Sequence, residues 1–150
     1  ASARLELSEP FDMPAPETPG KEKPELLLVD DSISIRKIIG MLLGNAGYKV
    51  DVAIDGVDAI EKISRASYDL ILTDLEMPRM HGYELIAEVR SGMQTKHIPI
   101  IVLTSRAGDK HHAKAIELGA NDYIVKPVDE DTLLQSVRKL LATQEAGMPT

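Results

Sequence analysis

At 150 residues the chain is sized for one domain with a substantial core, and 43% hydrophobic against 27% charged residues suits a water-soluble globular protein. It has no cysteine, which excludes disulfides and thiolate metal sites, and no apolar run approaches the roughly 20 residues that span a bilayer. A formal net charge of −7 argues against a nucleic-acid-binding surface, whereas a concentrated acidic pocket would attract a divalent cation.

The first 24 residues hold five of the nine prolines (Pro10, Pro14, Pro16, Pro19 and Pro24) among Glu, Ser, Thr and Lys. Such a segment buries too little apolar surface to fold and is expected to be a disordered linker. It lacks the basic start and apolar middle of a signal peptide. Together with the missing cysteines, this points to a reducing, cytoplasmic setting. One folded domain is expected over residues 25–143, followed by a second disordered tail over 144–150.

Within the folded part the pattern alternates. Leu26 to Val29 reads as a strand running into Asp30-Asp31. Ser32 is placed to cap a helix in which Ile35, Ile38, Ile39, Leu42, Leu43 and Ala46 recur at helical spacing, with Gly47 as its stop. Tyr48 to Ala53 is a second strand, and Asp55-Gly56 turns into a helix carrying Val57, Ile60 and Ile63. Asp69 to Thr73 is a third strand. Pro78 cannot continue a ladder, so this strand ends near Asp74. A short helix over Tyr83 to Arg90 points Leu85, Ile86 and Val89 inward. Ile98 to Leu103 is the fourth strand. The helix over Asp109 to Leu118 has a thin inner face of Ala113, Ile116 and Ala115. Asp122 to Val125 is the fifth strand, and the last helix holds Leu133, Leu134, Val137, Leu140 and Leu141. Strict strand–helix alternation implies an α/β fold, a doubly wound five-stranded parallel sheet.

Polar residues stand at four strand ends: Asp30 and Asp31, Asp74, Thr104, and Lys126. Taken singly, Asp74 turns a chain, Thr104 is a strand-end hydroxyl and Lys126 a solvated charge. Together on one sheet edge they point to a site, because open α/β sheets bind ligands beyond the carboxyl ends of their strands. The flavodoxin-like strand order 2-1-3-4-5 brings Asp30, Asp31 and Asp74 together. Three carboxylates about 5 Å apart repel by roughly 3 kcal/mol per pair at an effective dielectric near 20. A bound Mg²⁺ relieves this, since hard cations take carboxylate, carbonyl and water oxygens. Asp30-Asp31 capping the first helix is the alternative. With Mg²⁺ present, Asp74 becomes a candidate nucleophile for phosphoryl transfer, with Lys126 and Thr104 able to meet the charge on the phosphoryl oxygens.

The motifs Leu28-Val29-Asp30-Asp31-Ser32, Thr73-Asp74-Leu75-Glu76-Met77-Pro78, Thr104-Ser105 and Tyr123-Ile124-Val125-Lys126-Pro127 closely resemble the response-regulator receiver domain, the chemotaxis (CheY-like) family. The resemblance covers residues 24–143. It implies a phosphoacceptor signalling domain rather than an enzyme acting on a separate substrate. Asp74 would take its phosphoryl group from a phosphohistidine of a histidine kinase or phosphotransfer domain, and would lose it by autodephosphorylation. Asp31, Asp74 and the backbone carbonyl of Glu76 would ligate Mg²⁺, with Asp30 acting through water. Thr104 and Lys126 would contact the phosphoryl group, and Lys126-Pro127 would be a cis peptide. Thr104 and Tyr123 would switch the surface made by the fourth helix, fifth strand and fifth helix. That face would meet a downstream protein or a second copy, with no nucleic acid or membrane contacted directly.

One departure is visible: His81-Gly82 stands where the family often has Asp-Gly. His81 is read as a loop variant. His111 and His112 are adjacent and point apart, His97 is isolated, and no histidine is assigned chemistry. The competing class is a Mg²⁺-dependent phosphohydrolase with an aspartyl nucleophile, in which the position of Glu76 would carry the acid/base. The segments from Asp30 to Arg36 and from Leu103 to His111 also look like the C-terminal receivers of hybrid chemotaxis-type histidine kinases.

Overall fold

The computed structural model describes residues 23–147. Ten elements alternate: β1 (Glu25–Val29), α1 (Ile33–Asn45), β2 (Lys49–Ala53), α2 (Gly56–Arg65), β3 (Leu70–Thr73), α3 (Gly82–Ser91), β4 (Ile100–Thr104), α4 (Asp109–Leu118), β5 (Asp122–Val125) and α5 (Glu130–Gly147). The expected N-terminal linker lies outside the described residues except for Lys23 and Pro24, as does the end of the expected tail. Helix α5 continues to Gly147, past the expected tail boundary at Gln144.

All strand pairs are parallel and the order is β2-β1-β3-β4-β5, the flavodoxin-like arrangement. Side chains alternate between the two sheet faces. Leu27, Val29, Ile71, Ile100 and Val102 pack with Ala59 of α2, Leu85, Ile86 and Val89 of α3 and Ala115 of α4. Leu26, Leu28, Leu70, Leu72, Ile101 and Leu103 pack on the other face with Ile39 and Leu43 of α1 and Leu133 and Val137 of α5. Each fully buried Leu, Ile or Val among them contributes about 1.5–3 kcal/mol relative to exposure. This two-sided core fixes where every strand ends.

Three helix faces depart from the sequence reading. In α1, Ile39 and Leu43 are buried but Ile38 is 61% exposed. In α2, Ala59 is buried and Val57 is exposed. In α4 only Ala115 is buried, while Ala113 and Ile116 are exposed. Successive positions on a helix are about 100° apart, so residues at the edge of an apolar stripe turn away from the sheet, as Ile38 does beside Ile39 and Ile116 beside Ala115.

Candidate functional site

The register sets the site. Val29 pairs with Thr73, so Asp30 and Asp74 leave the sheet side by side. The Asp74 N–H donates to the Val29 carbonyl at 3.0 Å. Asp30 is 1% and Asp74 8% exposed, whereas Asp31 is exposed. One oxygen from each of Asp30, Asp31 and Asp74 lies within 4.8 Å of the others. Capping of α1 is done by Ser32, whose Oγ accepts from the Ile35 N–H. Asp30 instead orders the turn: its Oδ1 accepts from the Ser32 N–H at 2.9 Å, and its carbonyl accepts from Arg36 at 2.7 Å.

Lys126 reaches this cluster from the end of β5. Its Nζ lies 2.8 Å from Asp30 Oδ2 and 3.4 Å from Asp74 Oδ2. Burial works against its charge, but the hydrogen bond to Asp30 and the charges of Asp74 and Asp30 outweigh it. The ammonium pKa is therefore held above the ordinary lysine value. One ammonium against three carboxylates leaves two negative charges uncompensated. That charge, and an all-oxygen donor set, fit a hard divalent cation such as Mg²⁺. The Lys126-Pro127 peptide is cis.

Two loops and the strand β5 line the mouth. The Thr104 side chain is buried, and its Oγ1 accepts from the Arg106 N–H at 3.2 Å. The Tyr123 hydroxyl donates to the Arg106 carbonyl at 2.6 Å, and its ring stacks on His112. The Arg106 guanidinium grips Glu76 through Nε at 2.7 Å and through a second, closer Nη2 contact. This holds the exposed Glu76 carboxyl below the usual range. The carboxylate that an aspartyl phosphohydrolase would need free as acid/base is thus occupied.

The structure brings Asp30, Asp31, Asp74, Thr104 and Lys126 to one sheet edge, with Glu76 and Tyr123 at its rim. It also assigns partners to residues the sequence left without a job. Asp55 caps α2 through the Asp58 N–H and accepts from Arg79 at 2.7 and 3.1 Å; Arg79 itself sits at φ 70°. That hydrogen bond holds the Asp55 carboxyl below its ordinary value. His81 caps α3: its Nδ1 accepts from the Tyr83 N–H, while Glu84 accepts from the His81 N–H. The sequence signal was present in the spacing His81-x-x-Glu84, but the preference rules favour Ser, Thr, Asp or Asn there. A cleft of about 720 Å³ between Ile60, Ile63, Tyr68, Val89 and Ile98 does not include the acidic cluster.

Comparison with known proteins agrees with this geometry. The sequence pattern of the response regulator receiver domain matches residues 26–138. The chain is 39% identical over 123 residues to chemotaxis protein CheY1 of Helicobacter pylori, covering 81% of this chain and 99% of that protein. It is 40% identical over 124 residues to the transcriptional regulatory protein DltR of Streptococcus agalactiae, covering 82% of this chain but only 53%, about half, of that longer relative. Among solved structures, it is similar to the receiver domain of a sensor histidine kinase from Pseudomonas aeruginosa, which has a magnesium ion coordinated in its active site cleft. That similarity has a TM-score of 0.75 and 31% identity, covering 80% of this chain and 98% of that one. Among the described residues, no helix is long and apolar enough to cross a membrane.

Proposed function

This chain belongs to the response regulator receiver domain family of two-component signalling, and from that premise we propose that Asp74 is its phosphoacceptor. The donor is a phosphohistidine of a histidine kinase or phosphotransfer domain. An Asp74 carboxylate oxygen attacks phosphorus, the P–N bond breaks, and the imidazole leaves as the Oδ–P bond forms. Asp31, Asp74 and the Glu76 backbone carbonyl would hold Mg²⁺, with Asp30 through a water. When bound there, the ion supplies positive charge to the phosphoryl oxygens. Lys126 is already beside Asp74 and meets the charge that spreads over those oxygens in the transition state. The Thr104 hydroxyl donates to one of them afterwards. Water attack on the aspartyl phosphate returns the domain to its starting state.

The observation that carries this reading is the Asp30–Asp31–Asp74 cluster with the Lys126 ammonium bonded to two of its members. A structural ion pair alone would not need three carboxylates against one cation. The output is a change in the α4–β5–α5 face, which then meets a downstream protein or a second copy. The test is intact-mass measurement after incubation with acetyl phosphate and Mg²⁺. One added phosphoryl group in the parent and none in Asp74→Asn is expected. Equal incorporation by the variant would refute the assignment.

A further inference from the structure

A line of ring contacts crosses from the acceptor loop to α4, and the phosphoryl chemistry does not use it. It begins at the backbone of Asp74 itself. Gly82, the first residue of α3, donates its N–H to the Leu75 carbonyl at 2.8 Å. A Cβ at position 82 would lie 2.4 Å from the Asp74 carbonyl oxygen and 2.7 Å from Leu75 Cα. Only glycine allows this approach, so the start of α3 is fixed against the strand end that carries Asp74. His81 then caps α3 and stacks on Tyr83, ring centroids 4.9 Å apart. The Tyr83 hydroxyl reaches α4, 3.1 Å from His111 Nδ1 and 3.4 Å from the His111 carbonyl. The Lys114 ammonium lies over the same ring at 4.7 Å.

Helix α4 is lightly seated. Its one buried residue is Ala115, and glycines at positive φ flank it, Gly108 at 121° and Gly119 at 124°. Its C-terminal end is nonetheless held firmly. Arg90 donates to the Gly119 carbonyl through Nε at 3.0 Å and Nη2 at 2.7 Å, and also to Asn121 Oδ1, Ile98 O and Lys96 O. A helix pinned at one end and thinly packed along its length moves most at the other end. Tyr83 meets α4 at that other end, in its first turn.

We propose that Tyr83 is a positioning residue that ties the first turn of α4 to the loop of Asp74. The state of that loop then reaches α4 by a route separate from Thr104 and Tyr123. The transmission rests on Asp74 being the acceptor; the tie does not.

Two measurements on the full chain separate these claims. The first is amide hydrogen exchange of the unmodified protein at His112 to Ala115. Tyr83→Phe keeps the ring for His81 and Lys114 but removes the hydroxyl. It should speed exchange there about fivefold, the factor expected for one neutral hydrogen bond. His111→Ala should match it and His111→Asn should retain most of the protection. Unchanged exchange in Tyr83→Phe overturns the tie. The second uses beryllofluoride with Mg²⁺ as the phosphoryl mimic, read by amide NMR. Shifts at Leu75 to Met77 report occupancy, and shifts at His111 to Leu118 report transmission. In Tyr83→Phe the first set should persist and the second should fall by at least half. Equal α4 shifts with the site occupied overturn the separate route. If Leu75 to Met77 fail to respond in the parent, the acceptor reading falls and the transmission falls with it, while exchange still decides the tie.

Discussion

The Lys126 ammonium lies 2.8 Å from Asp30 Oδ2, although 96 positions separate the two residues in the chain. It stands inside an acidic cluster as the resident cation. Lys126→Met should therefore do two opposite things. It leaves a buried Asp30 carboxylate without its cation, which costs on the order of 3–5 kcal/mol. It also removes the charge that competes with Mg²⁺, so added Mg²⁺ should raise the variant's melting temperature more than the parent's. The pH dependence has a definite sign. A lysine pKa raised on folding gives stability fully present below the unfolded value, about 10.4, and lost as pH climbs through the folded value. Thermal melts between about pH 9 and about pH 12 should show an alkaline loss in the parent that is weaker in Lys126→Met. Parallel curves would mean that the pair adds nothing to stability.

The metal ligands should be separable by calorimetry. Asp31 is exposed at the mouth, with its oxygen close to those of Asp30 and Asp74. If Asp31 is a direct ligand, as proposed, Asp31→Ala should weaken Mg²⁺ binding strongly. The Asp30 side chain is already engaged by Lys126 and the Ser32 N–H, and Asp30→Ala should weaken binding less. Unchanged affinity in Asp31→Ala would place the ion elsewhere.

Asp55 and Arg79 make a prediction about acid stability. Asp55 is 3% exposed, caps α2 and is gripped by Arg79. A carboxyl pKa lowered on folding gives stability present above the unfolded value near 3.9, lost as pH falls through the folded value. Asp55→Ala should lower stability by about 1–3 kcal/mol at pH 7, through the lost cap and the unpaired partner. The gap between its unfolding free energy and the parent's should narrow as pH falls through the folded value. Arg79→Gly should be milder than Arg79→Ala, because glycine relieves the positive φ while both lose the pair. Urea unfolding across pH would show it; an Arg79→Ala variant as stable as Arg79→Gly would remove backbone strain from the account.

The Glu76–Arg106 pair spans the β3–α3 and β4–α4 loops at the rim. Both residues are exposed, so the pair matters more for access than for stability. Replacing both with Ala should change the aspartyl-phosphate half-life while leaving the melting temperature close to the parent's. Identical half-lives would show that water enters by another path.

Much of this architecture is legible in the sequence because it depends on local pattern. Short apolar runs alternating with helical spacing give the parallel sheet, and four of the five strands run into the polar residues that the register later gathers. Asp30-Asp31 and Asp74 are readable because they follow their strands directly. What is not legible depends on meetings between loops. Arg79 finds Asp55, Arg90 finds Gly119, and Tyr83 finds His111 only after the sheet order has put their elements side by side. The helix faces fail for a different reason. Ile38 and Ile39 are equally apolar, and hydrophobicity alone does not say which one faces the sheet.

The last prediction concerns Arg106, which is held from both sides of the proposed switch. The Thr104 Oγ1 accepts its N–H at 3.2 Å, and the Tyr123 hydroxyl donates to its carbonyl at 2.6 Å. If the Thr104 hydroxyl turns to donate to a phosphoryl oxygen on Asp74, the Arg106 N–H loses its acceptor. The loop that carries Arg106 then loosens, and the Tyr123 hydroxyl loses a fixed partner. Its ring is only partly buried and stacks on His112 of α4, so release of Tyr123 changes α4 and β5 together. Thr104→Ala removes the hydroxyl and with it the exchange of partners. It should leave Mg²⁺ binding intact, since Thr104 is not among the clustered carboxylates. Amide NMR with beryllofluoride and Mg²⁺ should show mouth shifts at Leu75 to Met77 in both proteins. Shifts at Arg106, and at Asp122 to Val125, should be strongly reduced in the variant. Equal responses at Arg106 and Tyr123 in parent and Thr104→Ala would mean that the switch does not run through this hydroxyl.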